Sequence, residues 1–309
     1  MYDTMGSVAA DGTVTAHDGV PIAYRDYGGS GRALVLLHGV GGNLESMDGL
    51  ARRLGTGRRI ITADIRFCGQ SGEAERFSFA DTVADIETIA AELATGQVDV
   101  AGASLGGVVA GHYGGRHPES RIVSIDGFAA GTVRHATPED AAAFDVWAAG
   151  TRAGLEAMTA PPESGDQDWL EAELQKVLTF FDRLNYGSPH AEVEARRHFL
   201  ALPDGTFRRH PARRLLDDQL ADMSRSMVHM FHDCTGPTLI LFCTEANWPA
   251  GLELELNDLV AAKPNIEVVR LPLTHVDPMW NAADHTAELI DQFLTSSAGG
   301  RPPSGRQAS

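Results

Sequence analysis

The chain has 309 residues, 43% of them hydrophobic, and its 25 basic and 42 acidic side chains give a net charge of −17. That length and apolar fraction suit one α/β core carrying an insertion. The acidity repels phosphate backbones and argues against nucleic acid as a partner. No apolar run reaches the roughly 18 residues of a membrane span, and the start MYDTMGSVAADG lacks the basic and apolar regions of a secretory signal. Cys68, Cys234 and Cys243 are odd in number and lack metal-type spacing, so free thiols in a reducing cytoplasm are expected. Residues 1–11 and 297–309 are poor in residues that could bury surface and are expected to be disordered.

In chain order, GTVTAHDGVPIAYRDYG predicts a hairpin, because Asp18-Gly19 tolerates the positive φ of a tight turn. Short, almost continuous apolar runs follow at 33–39, 59–64, 98–102, 121–127, 238–243 and 266–272. Runs that are apolar on both faces predict parallel strands covered on both sides. Helical patterns lie between them at 43–54, at 78–94 (Val83, Ile86, Ile89, Ala90 and Leu93 on one stripe), from Ser104 to about His117, and in DHTAELIDQFL. Residues 128–235 contain no convincing strand. Thr137 and Pro138 predict a helix start there. DWLEAELQKVLTFFDRL places Leu170, Leu174, Val177, Leu178 and Phe181 on one face, and PARRLLDDQLADMSRSMVHMF does the same with Leu216, Leu220, Met223, Met227 and Met230. The expected architecture is α/β: a core of 12–127 and 236–296, with 128–235 as a helical cap over the carboxyl edge of the sheet. Trp147, Trp169, Phe180, Phe181, Tyr186, Phe199, Phe207, Met223 and Met227 are the cap's large apolar residues.

Gly102-Ala103-Ser104-Leu105-Gly106 fits G-x-S-x-G between a buried strand and a helix. The small residues two before and two after let the backbone pass close, and the sharp turn pushes the Ser104 hydroxyl out at a helix N-terminus. Such a serine needs a base and oxyanion donors. His275 is singled out from twelve histidines because it leaves the last strand at the carboxyl edge, where Ser104 also lies. The donors would be the amides of Leu105 and Val40, the latter in a loop made close-approaching by Gly39, Gly41 and Gly42. His229, His232 and Asp233 form a polar cluster, but without further ligands no metal is expected.

These pieces resemble the α/β-hydrolases of the epoxide hydrolase, haloalkane dehalogenase and haloperoxidase-like esterase group. The resemblance covers roughly residues 12–296 and rests on LVLLHG, ADIRFCGQSG, GASLGG, PTLILF and LTHVDP. It implies an eight-stranded, mostly parallel sheet with a helical cap. In ADIRFCGQSG the family's D-x-R-G-x-G-x-S is kept at Asp64, Arg66, Gly69 and Ser71, but Phe67 replaces a glycine, which would put its ring and Cys68 near the pocket. Serine at the turn argues against the dehalogenase and epoxide hydrolase relatives, which use aspartate there, and suggests acyl chemistry. The family's commonest acid slot falls on Ala246, beside Glu245. The alternative slot, after the strand that follows the nucleophile helix, offers Asp126. Asp126 is preferred, with Glu245 second; Asp277 is too near His275 in sequence to reach its far ring nitrogen.

The resulting expectation is a cofactor-independent serine hydrolase acting on an ester, lactone or thioester of a small apolar molecule. Phe67, Phe128, Trp147 and Met227 are the expected pocket residues. The same serine and histidine would also serve acyl transfer, cyclisation or elimination, and the Ala246 departure would suit a ligand-binding protein with a degenerate triad.

Overall fold

The structure is a computed structural model and describes residues 10–55, 57–93, 96–159, 164–183, 191–220 and 224–296. The expected hairpin is formed by β1 (Ala10–Thr15) and β2 (Pro21–Asp26), with Gly19 at φ 86° in its turn. The continuous apolar runs become β3 (Ala33–Leu37), β4 (Arg59–Ala63), β5 (Val98–Ala103) and β6 (Ile122–Ile125). Between them lie α1 (Asp48–Ala51), preceded by a 3₁₀ turn at Leu44–Met47, then α2 (Phe79–Glu92) and α3 (Leu105–Arg116).

After β6 come α4 (Pro138–Met158), β7 (Ser164–Gly165), α5 (Gln167–Arg183), α6 (Ala191–Arg197), β8 (Phe199–Ala201), β9 (Phe207–Arg209) and α7 (Arg213–Gln219). The chain then returns to the main sheet with β10 (Thr238–Cys243), α8 (Ala250–Ala262), β11 (Ile266–Leu271) and α9 (Ala283–Thr295). Eight strands form one sheet in the order β1-β2-β4-β3-β5-β6-β10-β11. Pairing is antiparallel only at β1–β2 and β2–β4.

The strand alternation sorts the core into two faces. Ala33, Val35 and Leu37 of β3 meet Val83, Ile86 and Ile89 of α2 and Val109 of α3. Leu34 and Leu36 point the other way, toward Leu50 and Ala51 of α1 and Ala287, Ile290 and Leu294 of α9. Each fully buried Leu, Ile or Val contributes about 1.5–3 kcal/mol, so register in the central strands is strongly specified. Among the described residues, no helix is long and apolar enough to cross a membrane.

Residues 128–235 depart from expectation in two ways. First, β7, β8 and β9 form a small sheet in the order β7-β9-β8, so the segment is not wholly helical. Their pairing covers only two or three residues per strand, too short to show as an alternating pattern. Second, the stripe Leu216 to Met230 is not one helix. α7 ends at Gln219, and Met227 instead joins a backbone ladder: Thr132 N–H donates to Arg225 O at 2.9 Å, and Met227 N–H to Thr132 O at 3.0 Å. Met227 and Met230 are buried against Val108, Phe128 and Phe231, not along α7. The predicted start at Thr137 is present as a reciprocal capping box with Asp140. Tyr186 and Met223 lie outside the described residues, as do 1–9 and 297–309.

Candidate active site

β5 runs into α3 through Ser104, whose backbone sits at φ 52°, ψ −116°. A positive φ in a non-glycine residue costs about 1–3 kcal/mol. The neighbours over-determine it: Ser104 N–H donates to Ile125 O at 3.0 Å, and Ser104 O accepts from Gly107 at 2.9 Å and Val108 at 3.1 Å. The flanking glycines are required by close approach. A Cβ on Gly102 would lie 2.2 Å from the Gly106 carbonyl, and one on Gly106 would lie 2.4 Å from Leu37 O. The turn therefore sets Ser104 at the carboxyl edge of the sheet, at the N-terminus of α3, where it lines a cavity of about 580 Å³.

His275 reaches the same cavity from the loop after β11. Its Nδ1 lies 2.7 Å from Oδ2 of Asp126, which is fully buried at the end of β6. Asp126 also holds a positive φ, 49°, which aspartate tolerates better than most residues. The other carboxylate oxygen accepts the Cys243 N–H at 2.9 Å, and Oδ2 accepts a second donor, the Trp248 indole N–H, at 2.9 Å. Three donors around one buried carboxylate offset its desolvation. The Trp248 ring also stands edge-on to His275 at 5.6 Å. Glu245 is exposed, and its backbone N–H donates to Leu273 O at 3.1 Å. The structure therefore brings Asp126, not Glu245, to His275.

The loop after β3 completes this edge. His38 is fully buried, with Nε2 accepting the Ile65 N–H at 3.0 Å and Nδ1 donating to Gly39 O at 2.7 Å. Burial pulls its pKa down, so the ring stays neutral and keeps both bonds. A Cβ on Gly39 would meet Ser104 Cβ at 2.9 Å, so glycine lets the loop approach the serine. Val40 and Leu105 both line the cavity, and among the described residues neither amide N–H has an acceptor.

Of the expected pocket residues, Phe128, Trp147 and Met227 line the cavity. Phe67 does not. It is fully buried in the core, edge-on to Phe77 at 6.2 Å, and holds φ 70°, the conformation for which the family pattern has glycine there. Cys68 is likewise fully buried, and burial raises its thiol pKa, so it is a core residue. Asp64 and Arg66 serve the framework. Asp64 accepts the Leu44 and Gln70 amides and pairs with Arg197, and Arg66 pairs bidentately with Asp85. Sequence reasoning missed Trp248. Its only signal was an indole N–H two residues past the slot vacated at Ala246.

The profile of the alpha/beta hydrolase fold family matches residues 32–214, and the chain belongs to that family. Among solved structures it is similar to E-2-(acetamidomethylene)succinate hydrolase, at 19% identity and TM-score 0.70, covering 94% of this chain and 100% of that one. It is also similar to the thioesterase domain from the curacin biosynthetic pathway, at 16% identity and TM-score 0.65, with 94% and 100% covered. The enol-lactonase from Burkholderia xenovorans LB400 matches at 19% identity and TM-score 0.62, with 92% and 100% covered. At these identities the likeness is one of fold.

Proposed function

We propose that this chain is a serine hydrolase that cleaves an ester-like bond (ester, lactone or thioester) of a small apolar molecule through an acyl-enzyme. Ser104 attacks the carbonyl carbon while His275 takes its proton, and the Leu105 and Val40 amides receive the oxyanion. Asp126 stabilises the imidazolium and keeps the proton on Nδ1, leaving Nε2 free as the base. The tetrahedral intermediate collapses as His275 returns the proton to the leaving group. Water, activated by the same imidazole, then releases the acyl group. No cofactor enters these steps. Residues 128–235 act as the cap, with Trp147, Thr151, Leu155 and Met158 of α4 supplying one wall of the cavity.

The observation that carries this reading is the 2.7 Å Asp126–His275 contact beside the same cavity that Ser104 lines. The lactonase and thioesterase among the structural neighbours suit the ester-like class. A panel of aryl esters, lactones and thioesters tests it. The wild-type protein should turn over at least one class, and His275→Ala should lose that turnover by several orders of magnitude. Equal rates with and without the histidine would remove the proposed base.

A further inference from the structure

The cavity has a second polar region, away from Ser104. Leu105, Val108 and His112 lie along one stripe of α3, and all three line the cavity. Eight residues from Ser104 to His112, at about 1.5 Å rise each, put His112 about 12 Å along the helix axis from the serine. Between them the walls are apolar, formed by Phe79, Val108, Phe128 and Met227.

At the far end the chemistry changes. Nε2 of His112 and Nε2 of Gln219 are both buried and have no hydrogen-bond partner among the described residues. Arg225, an exposed side chain with no ion pair among the described residues, lines the same cavity from its solvent side. Burial, assisted by the neighbouring charges of His229 and Arg225, pulls His112 down to about 4, so its ring is neutral and one nitrogen carries a donating proton. The ring is fixed by stacking on Phe79 at 4.6 Å. Asp218, the carboxylate beside them, already accepts the Phe77 N–H at 2.6 Å. A buried polar atom left without a hydrogen-bond partner costs about 1–3 kcal/mol, and here two of them lie in a cavity that the exposed Arg225 guanidinium also lines.

We infer that the acyl part of the substrate carries an oxygen acceptor, a keto or carboxylate group, at the end remote from the scissile carbonyl, received by Gln219, Arg225 and His112. The inference rests on the reading of Ser104 as nucleophile, because that fixes which end of the ligand is near the serine. An apolar chain about 12 Å long with polar ends matches the order polar, apolar, polar along α3.

The test uses aryl esters of equal chain length whose acyl group ends in methyl, methyl ketone or carboxylate. Their unreactive ether analogues report binding to the same protein. At least one acceptor-terminated ester should exceed the methyl-terminated ester by about tenfold in kcat/KM, the value of one satisfied donor. The ether analogues should follow the same order in Kd. Whether the ketone or the carboxylate gains more distinguishes a neutral from an anionic group. Gln219→Leu and Arg225→Met should each shrink the preference at least threefold, with melting temperatures confirming that both fold. A methyl-terminated chain that binds and reacts as well as both others would overturn the inference. If no ester is turned over but the ethers keep the order, the hydrolase reading fails and the polar subsite stands.

Discussion

Trp248 donates its indole N–H to Oδ2 of Asp126 at 2.9 Å, the same oxygen that faces His275. The carboxylate therefore cannot rotate away from the imidazole without breaking the indole bond. Trp248→Phe removes the indole N–H together with the five-membered ring, while leaving an aromatic ring at the place that packs edge-on to Phe128 at 5.2 Å. A hydrogen bond to a charged group is worth about 1.5–3 kcal/mol, and the smaller ring also gives up packing, so urea unfolding should show a loss of at least that size. Turnover should fall, by less than in a variant lacking the carboxylate. Unchanged stability and turnover would mean that the indole does not hold Asp126.

The two candidate acids can be ranked directly. Asp126→Asn preserves shape but removes the charge and can favour the wrong tautomer, a change worth up to about 10⁴-fold in the best-studied triad. Glu245→Gln alters an exposed side chain and should cost less than about tenfold. Steady-state kinetics on one ester checks both. The reverse ranking would move the acid to the loop after β10.

Acid should unfold the protein from below neutrality. Burial pulls His38 down, His112 down to about 4 and His198 down to about 3, against 6.5 for the free ring. The folded chain keeps these rings neutral while the unfolded chain takes up their protons. Their contribution is whole above pH 6.5 and is lost as pH falls from there toward the folded values, on the order of 1.4 kcal/mol per pH unit for each ring. Urea midpoints measured on either side of pH 6.5 should drop on the acid side. Equal midpoints would show the rings to be charged in the folded state.

Trp147 and Met227 line one cavity but should behave differently. Met227 is 1% exposed and belongs to the core cluster with Val108 and Phe231. Met227→Ala should cost about 2–5 kcal/mol of stability. Trp147 is half-buried on α4, a helix with no fully buried residue, and its indole donates to Asn247 O at 2.5 Å. Trp147→Ala should instead change acyl-length preference in kcat/KM. A uniform loss over all chain lengths with a lowered melting temperature would make Trp147 a packing residue.

The central sheet was legible because strands buried on both faces read as unbroken apolar runs, and the Ser104 turn because its glycines are sterically required. α8 was not singled out, since AGLELELNDLVAA alternates leucine with glutamate and hides the spacing of Leu252, Leu256 and Leu259, which are buried. The false helix through Met227 and Met230 had the right spacing, but the backbone there bonds to residues 129–132, a long-range pairing that periodicity cannot report. Phe67 was misplaced because its positive φ turns the ring into the core. Trp248, Gln219 and His112 belong to no motif, and only the fold brings them to the cavity.

If the strained turn presents a reactive serine, Ser104 should react with a serine-directed electrophile. Treating the protein with a fluorophosphonate and mapping the adduct by peptide mass spectrometry tests it most directly. One phosphonylated residue is expected, Ser104, with labelling abolished in Ser104→Ala and turnover reduced by several orders of magnitude. Undiminished labelling of Ser104→Ala, or an adduct on another residue, would contradict it.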